Sequence, residues 1–177
     1  MADLKLIIPF IKKAEGGYVN DPLDKGGETM QGITYAVWCS VFGPNAHERF
    51  IKMATTDWEQ IFKTLFWDKI QGDKINSQRI ANTLADWVWG SGLYYPKLNV
   101  QIILNFYGAN IKADGIFGNG TLAALNAANE ENVYKSLIKK RFDYIENIVS
   151  NYPAQIRFIQ GWKNRLNALD KFNNPII

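Results

Sequence analysis

Glu15-Gly-Gly-Tyr18-Val-Asn-Asp21-Pro-Leu-Asp24-Lys-Gly-Gly-Glu28-Thr29-Met-Gln-Gly-Ile33 is the stretch on which the reading of this chain turns. It holds four carboxylates and five glycines in nineteen residues. Two Gly-Gly pairs and a proline rule out a continuing helix. Glycine loses the most backbone entropy on ordering, and proline lacks the N–H. Just before it, Leu4, Ile7, Ile8 and Ile11 recur at helical spacing. Residues 3–15 therefore read as an amphipathic helix that Pro9 bends. The stretch is then a folded loop or tight hairpin, with Glu15 as the last helical residue and Gly16 as its left-handed cap. A carboxylate at that end opposes the negative pole of the helix, which favours the protonated form a general acid needs. A glycine-rich surface turn with solvated acids is the plain alternative. The density of acids and glycines, together with Thr29, favours a site.

The chain has 177 residues, enough for one domain or two small ones packed together. With 47% apolar and 14% aromatic residues, it can bury a sizeable core. The net charge of +3 is uneven. Residues 1–95 carry 10 basic and 11 acidic side chains, a balance of −1, and residues 96–177 carry 10 and 6, a balance of +4. The second part is suited to an anionic polymer or surface. With Cys39 as the single cysteine, no intrachain disulfide can form. No apolar run approaches the roughly 18 residues needed to span a bilayer, so stable membrane insertion is not expected. The N-terminal stretch has an early acid and too short an apolar run for a secretory signal.

Thr34 is placed to cap a helix through Val41, which Gly43-Pro44 ends, and a short helix follows around 46–53. Thr56-Asp-Trp-Glu59 has the capping-box pattern and opens a helix carrying Ile61, Phe62, Leu65 and Phe66. Ser77 caps a helix through Trp89, broken by Gly90-Ser-Gly92, and Tyr94-Tyr-Pro96 is the best linker. A helix with Val100, Ile103, Leu104 and Phe106 comes next, then a turn at 114–121 and a helix over 122–128. A long helix over 131–151 presents Val133, Leu137, Ile138, Phe142, Ile145 and Val149 on one face. Beyond Pro153 a last helix carries Ile156, Ile159, Trp162, Leu166 and Leu169. A small hairpin within 18–33 is the one strand signal, so the fold class is mainly α. The expected domains are residues 1–95 and 96–177, packed against each other.

The pattern Glu15-Gly-Gly-Tyr-Val-Asn-Asp-Pro-x-Asp24-x-Gly-Gly-x-Thr29-x-x-Gly-Ile33 resembles the signature of the glycoside hydrolase family 108 lysozymes. These are N-acetylmuramidases, often labelled secretion activator proteins and found in phages and toxin-release loci. Residues 97–170 resemble the small peptidoglycan-binding domain that accompanies them. The resemblance implies a lysozyme-like helical fold and Glu15 as the catalytic residue. It also implies peptidoglycan glycan strands as the partner, cleaved between N-acetylmuramic acid and N-acetylglucosamine. No cofactor is implied. Such a protein is expected to be made in a bacterial or prophage-carrying cytoplasm, with a holin or another export partner bringing it to the wall.

The chemistry can be argued from the residues themselves. Cleaving a glycosidic bond takes a proton for the leaving oxygen and stabilisation of an oxocarbenium-like centre. A carboxylic acid in a partly apolar pocket can stay protonated near neutral pH, and Ile11 and Tyr18 are at hand to cover Glu15. The partner carboxylate must stay ionised. Asp24 is favoured by Lys25 and the glycine N–H groups beside it, Asp21 is the second candidate, and a turn-forming Asx side chain is the structural alternative for Asp24. Thr29 can hold a water. The order Glu15, Asp24, Thr29 also resembles the triad of phage endolysin lysozymes, with the Asp–Thr gap one residue shorter. The loop length suggests carboxyl groups roughly 7–10 Å apart, the spacing of an inverting enzyme.

Downstream, Asp86-Trp-Val-Trp-Gly90-Ser-Gly92 matches the family at the Asp and the final Gly, but Gly90 stands where the family has Asn. Trp89 is a candidate for stacking on sugar rings, and Trp87, spaced from Leu84, reads as core. Asp114-Gly-x-x-Gly-x-x-Thr121 matches a motif of peptidoglycan-binding modules, which makes Asp114 a candidate substrate contact. Structurally it reads as a turn with Thr121 as the cap of the next helix.

Other chemistries fit poorly. With His47 as the one histidine, a Ser–His–Asp or Cys–His site would have to use it. His47-Glu48 lacks the second His of the zinc motif. Asp21 and Asp24 are three apart, which is wrong for a calcium loop. Lys135, Lys139, Lys140 and Arg141 fall at helical spacing, as a solvated face does, so no nucleic-acid partner is expected. A non-catalytic wall-binding or secretion-assisting protein is the alternative on the same fold.

Overall fold

The computed structural model describes residues 1–20 and 27–175. Asp3 caps α1 (Leu4–Lys13) by accepting the Lys5 N–H at 2.8 Å. Ile7, Ile8 and Ile11 form its buried face, as the helical spacing predicts. The helix ends at Lys13, earlier than expected. Ala14 closes it in a right-handed conformation, with its N–H on the Ile11 and Lys12 carbonyls. A left-handed cap is therefore unnecessary, and Gly16 is not among the positive-φ glycines.

Three two-residue strands follow, β1 (Tyr18–Val19), β2 (Thr29–Met30) and β3 (Ile33–Thr34), antiparallel in the order β1-β2-β3. Tyr18 pairs with Met30 and Val19 with Thr29, while Met30 pairs with Ile33 and Thr29 with Thr34. The β2–β3 turn is Gln31-Gly32, both at positive φ (49° and 77°). That is the type I′ geometry whose twist matches the flanking strands.

Thr34 caps α2 (Tyr35–Phe42) through the Val37 N–H, and Gly43 ends it, both as the sequence indicates. The short α3 (His47–Ile51) comes next. The capping box at Thr56 does not form. α4 (Thr55–Phe62) starts two residues earlier, after Ala54, which puts Thr56 inside the first turn. The chain then underwinds and overwinds in succession. A π-helical segment, Lys63–Trp67, leads into 3₁₀ turns at Asp68–Ile70 and Gly72–Lys74. Gly72 is required there because a Cβ would run into the Trp67 indole.

The axis of the molecule is α5 (Gln78–Ser91), capped by Ser77. Every residue from Ile80 to Val88 is buried. A helix buried all round its circumference belongs to the middle of a core rather than to its surface. It packs against α1 on one side and against α6, α8 and α9 on the other. Gly90 and Ser91 remain helical, and the break falls at Gly92, whose φ of 74° only glycine adopts readily. The expected linker is instead the first turn of α6 (Tyr94–Phe106), where Pro96 needs no N–H partner.

α7 (Asn119–Ala127), α8 (Glu130–Asn151) and α9 (Ile156–Asn173) complete the chain. Val133 and Leu137 of α8, and Leu166 and Leu169 of α9, bury as expected. Phe106 and Ile156, expected inside, are 80% and 58% exposed. One contiguous apolar cluster runs from Ile7 through Trp38, Trp58 and Trp87 to Leu137 and Leu169. The fold is mainly α with a small antiparallel sheet beside the end of α1, in the lysozyme-like class. No helix among the described residues is long and apolar enough to cross a membrane.

Candidate active site

Glu15 lies just past α1, its N–H still bonded to the Lys12 carbonyl at 3.1 Å. One helical hydrogen bond thus holds its backbone, and its partly buried side chain turns toward α5. There Oε1 accepts the Trp89 indole N–H at 2.8 Å. Indole can only donate, so a proton carried by Glu15 belongs on the other oxygen, Oε2. Oε2 faces Gly32 of the β2–β3 turn.

Trp89 is itself immobilised. Its ring is packed by Trp58 (5.4 Å between centroids), Phe62 (5.7 Å) and Phe66 (5.0 Å, edge-on). Trp58 and Phe62 are stacked at 5.1 Å, and the Lys12 ammonium sits 5.5 Å over Trp58. The Trp58 indole N–H donates to the Gln31 carbonyl at 3.0 Å, tying the type I′ turn to the same aromatic cluster. Phe66 is carried by the π-helical segment, a local distortion of the sort that recurs near functional sites. The carboxylate, the indole and the turn therefore form one rigid unit built from α1, the sheet, α4 and α5.

Gly32 serves this unit twice. Its φ of 77° suits glycine, and a Cβ there would stand 2.7 Å from Glu15 Cδ and 2.9 Å from Trp89 Cζ2, with Oε2 closer still. Gly32→Ala is expected to push the Glu15 carboxyl off the indole and lower activity by about 10²-fold, the usual penalty for a misplacement of about 1 Å. The left-handed strain adds about 1–2 kcal/mol of destabilisation. Activity assayed alongside a thermal melt separates the two effects. Near-native turnover in the Gly32→Ala variant would show that Oε2 needs no open side.

Glu15 opens on a pocket of about 340 Å³. The opposite wall comes from the C-terminal half, with Arg141, Tyr144 and Ile148 of α8 and Trp162 and Arg165 of α9. Asp86 of α5 forms its floor and is fully buried at the side chain. Its Oδ2 accepts from Arg141 Nη2 at 2.7 Å, and its Oδ1 accepts from Arg165 Nη2 and Nε at 2.8 and 3.0 Å. The two cations in turn lie 5.8 Å over Trp87 and 5.6 Å over Phe10. This triad, of which the sequence showed only the family match at Asp86, locks α8 and α9 onto α5 one turn before Trp89.

The remaining candidates are distributed as follows. Thr29 stands on β2, and its hydroxyl donates to the Gly27 carbonyl at 3.3 Å rather than to Glu15. Tyr18 is on the outer strand, 45% exposed. Asp21 and Asp24 lie outside the described residues, and so does the separation of either carboxyl group from Glu15. Trp87 is core, as its spacing from Leu84 indicates. Asp114 does not line the Glu15 pocket. It folds its own loop, where its Oδ1 accepts the Ile116 N–H at 2.8 Å and is reached by the Gln101 amide at 3.3 Å. The Ile116 N–H first, then Gln101 and Lys112, against an opposing desolvation, hold its carboxyl below the usual carboxylate range. Gln101 also takes the Asp114 and Gly115 N–H groups and donates to Thr121 Oγ1. Thr121 is thus a buried helical residue and not the cap of α7.

Glu28 bridges Asn20 Nδ2 at 3.3 Å and His47 Nε2 at 2.5 Å, which pins the hairpin to α3. This engages the one histidine. Among the described residues no three His, Cys, Asp or Glu side chains are grouped to hold a metal ion.

Residues 8–92 match the model of the family described as glycosyl hydrolase 108, and residues 95–167 match that of a predicted peptidoglycan domain. Among solved structures, the chain is similar to SagA of Brucella abortus, at 23% identity and a TM-score of 0.74. The match covers 96% of this chain and 92% of that one. No curated protein matches.

Proposed function

We propose that this chain, which joins a glycosyl hydrolase 108 region to a predicted peptidoglycan domain, is a muramidase. It would cleave the bond between N-acetylmuramic acid and N-acetylglucosamine in wall glycan strands. The observation that carries the reading is the Glu15 carboxyl, fixed by the Trp89 indole at 2.8 Å in the wall of a pocket of about 340 Å³. Such a group is placed to protonate a leaving glycosidic oxygen as the sugar takes on oxocarbenium character. Asp24 is proposed as the ionised partner that activates a water, and Thr29 as the residue that orients this water. Acting at the wall would require a holin or another export partner.

Digestion of purified peptidoglycan, with the new reducing ends identified by mass spectrometry, tests the reading. N-acetylmuramic acid at those ends is expected. Ends carrying N-acetylglucosamine would assign a different bond, and no release at all would leave a wall-binding protein on a hydrolase fold.

The second carboxylate has its own test. Asp24→Asn is expected to cost about 10²-fold or more in turnover, the typical worth of general acid–base participation. Asp21→Asn should cost much less, since Asp21 precedes Pro22 while Asp24 has Lys25 and glycines close by. Equal or reversed losses would give the role to Asp21.

A further inference from the structure

A groove of about 800 Å³ lies between α6 and α8, within the range of small-molecule sites (roughly 300–1,000 Å³). It shares two wall residues, Tyr144 and Ile148, with the Glu15 pocket. An aromatic run joins the two spaces. Trp87 meets Tyr144 edge-on at 5.9 Å, and Tyr144 meets Tyr95 at 5.8 Å. Lys140, Asp143, Asn147 and Asn151 fall at helical spacing and give α8 a polar stripe facing this groove.

The chemistry of the stripe is specific. Asn147 and Asn151 make no side-chain hydrogen bond among the described residues, and Asn99 uses only its Nδ2, on the Tyr95 carbonyl at 2.9 Å. The groove thus presents free amide donors and acceptors beside exposed tyrosine rings, with Tyr152 68% and Tyr95 52% exposed. Its wall carries little charge. Asp143 is paired with Lys139 at 2.9 Å, which leaves Lys140 as the single cation of the lining. Planar amides and ring faces suit an uncharged, hydroxyl- and acetamido-bearing sugar. A stem peptide, with several carboxylates, would call for more cations than the single Lys140 that this wall offers.

We propose that this groove is a saccharide subsite. It would seat one or more N-acetylhexosamine units of the strand whose scissile bond lies at Glu15, with Tyr144 as the threshold between the two spaces. The proposal deepens the muramidase reading and rests on it for the direction of the strand.

The test uses the full-length Glu15→Gln protein, so that binding is read without cleavage. A chitin tetrasaccharide and, separately, a free stem pentapeptide are titrated while the side-chain amide resonances of Asn99, Asn147 and Asn151 are followed by NMR. The saccharide is expected to shift these resonances and the peptide to leave them in place. Asn147→Ala with Asn151→Ala should weaken saccharide binding by about tenfold, the loss of two neutral hydrogen bonds. In the active enzyme the same pair should raise KM on long strands with kcat unchanged. Tyr152→Ala, an exposed position, provides a second variant should the amide pair perturb folding. Saccharide shifts confined to Trp89, or peptide shifts at the asparagines, would overturn the subsite while leaving the hydrolase intact. A wild-type protein that releases no reducing ends, yet binds saccharide through these amides, would overturn the muramidase reading and keep the groove.

Discussion

Glu15→Gln is expected to lower the release of reducing ends from purified peptidoglycan by about 10²–10⁴-fold, the span that a positioned general acid contributes. The substitution isolates the proton. Glutamine has the same length and shape, and its carbonyl oxygen can still accept the Trp89 N–H that Glu15 Oε1 accepts at 2.8 Å. The cage of Trp58, Phe62 and Phe66 around that indole is untouched. What disappears is a transferable proton on the oxygen facing Gly32. Melting should therefore stay close to native while turnover collapses. A Glu15→Gln variant within a few-fold of wild type would remove Glu15 from the chemistry and send the search to the carboxylates of the 18–33 loop.

The second large effect is on stability. Asp86→Ala leaves Arg141 and Arg165 facing each other without their shared carboxylate, at side-chain exposures of 11% and 28%. Truncating one member of a buried ion pair typically costs about 3–5 kcal/mol, because the uncompensated charge stays desolvated. Against a total stability of about 5–15 kcal/mol, that is a large share. It should lower Tm by on the order of 10 °C in a chain of this size. The triad joins helices from both halves of the sequence, so the loss should also reach activity through the slackened wall of the Glu15 pocket. Replacing all three residues by apolar ones of similar volume should recover much of the stability, since the penalty comes from the orphaned charges. A melt indistinguishable from native for Asp86→Ala would mean that water or a neighbour relieves the arginines, and the triad would then lose its role as a clamp.

Much of this was legible beforehand because it depends on local rules. Apolar residues at helical spacing announce α1, α8 and α9, since a helix must bury one stripe. Thr34 and Ser77 announce two helix starts, since an orphan N–H near each needs an oxygen. Glu15 stood out by its company of acids and glycines, and Trp89 as an aromatic ring suited to stacking on sugars. Local rules also misled where tertiary contacts outweighed them. Thr56 and Thr121 look like caps, yet Thr56 sits within the first turn of α4 and the Thr121 hydroxyl is claimed by Gln101, twenty residues away. Gly90 looks like a break, yet α5 runs on to Ser91.

What the sequence by itself determined is the mainly helical class, the hairpin after α1 and the carboxylate on which the functional reading rests, all set by spacing and backbone freedom within a few residues. Only the tertiary structure decided what that carboxylate touches. The indole of Trp89 is 74 residues from Glu15, and the arginines on Asp86 are 55 and 79 residues away. Contacts at such separations leave no local periodicity to read. They exist because α5, buried all round, must be covered on every side, and covering it brings Glu15 at the end of α1 together with α8 and α9 at a single pocket.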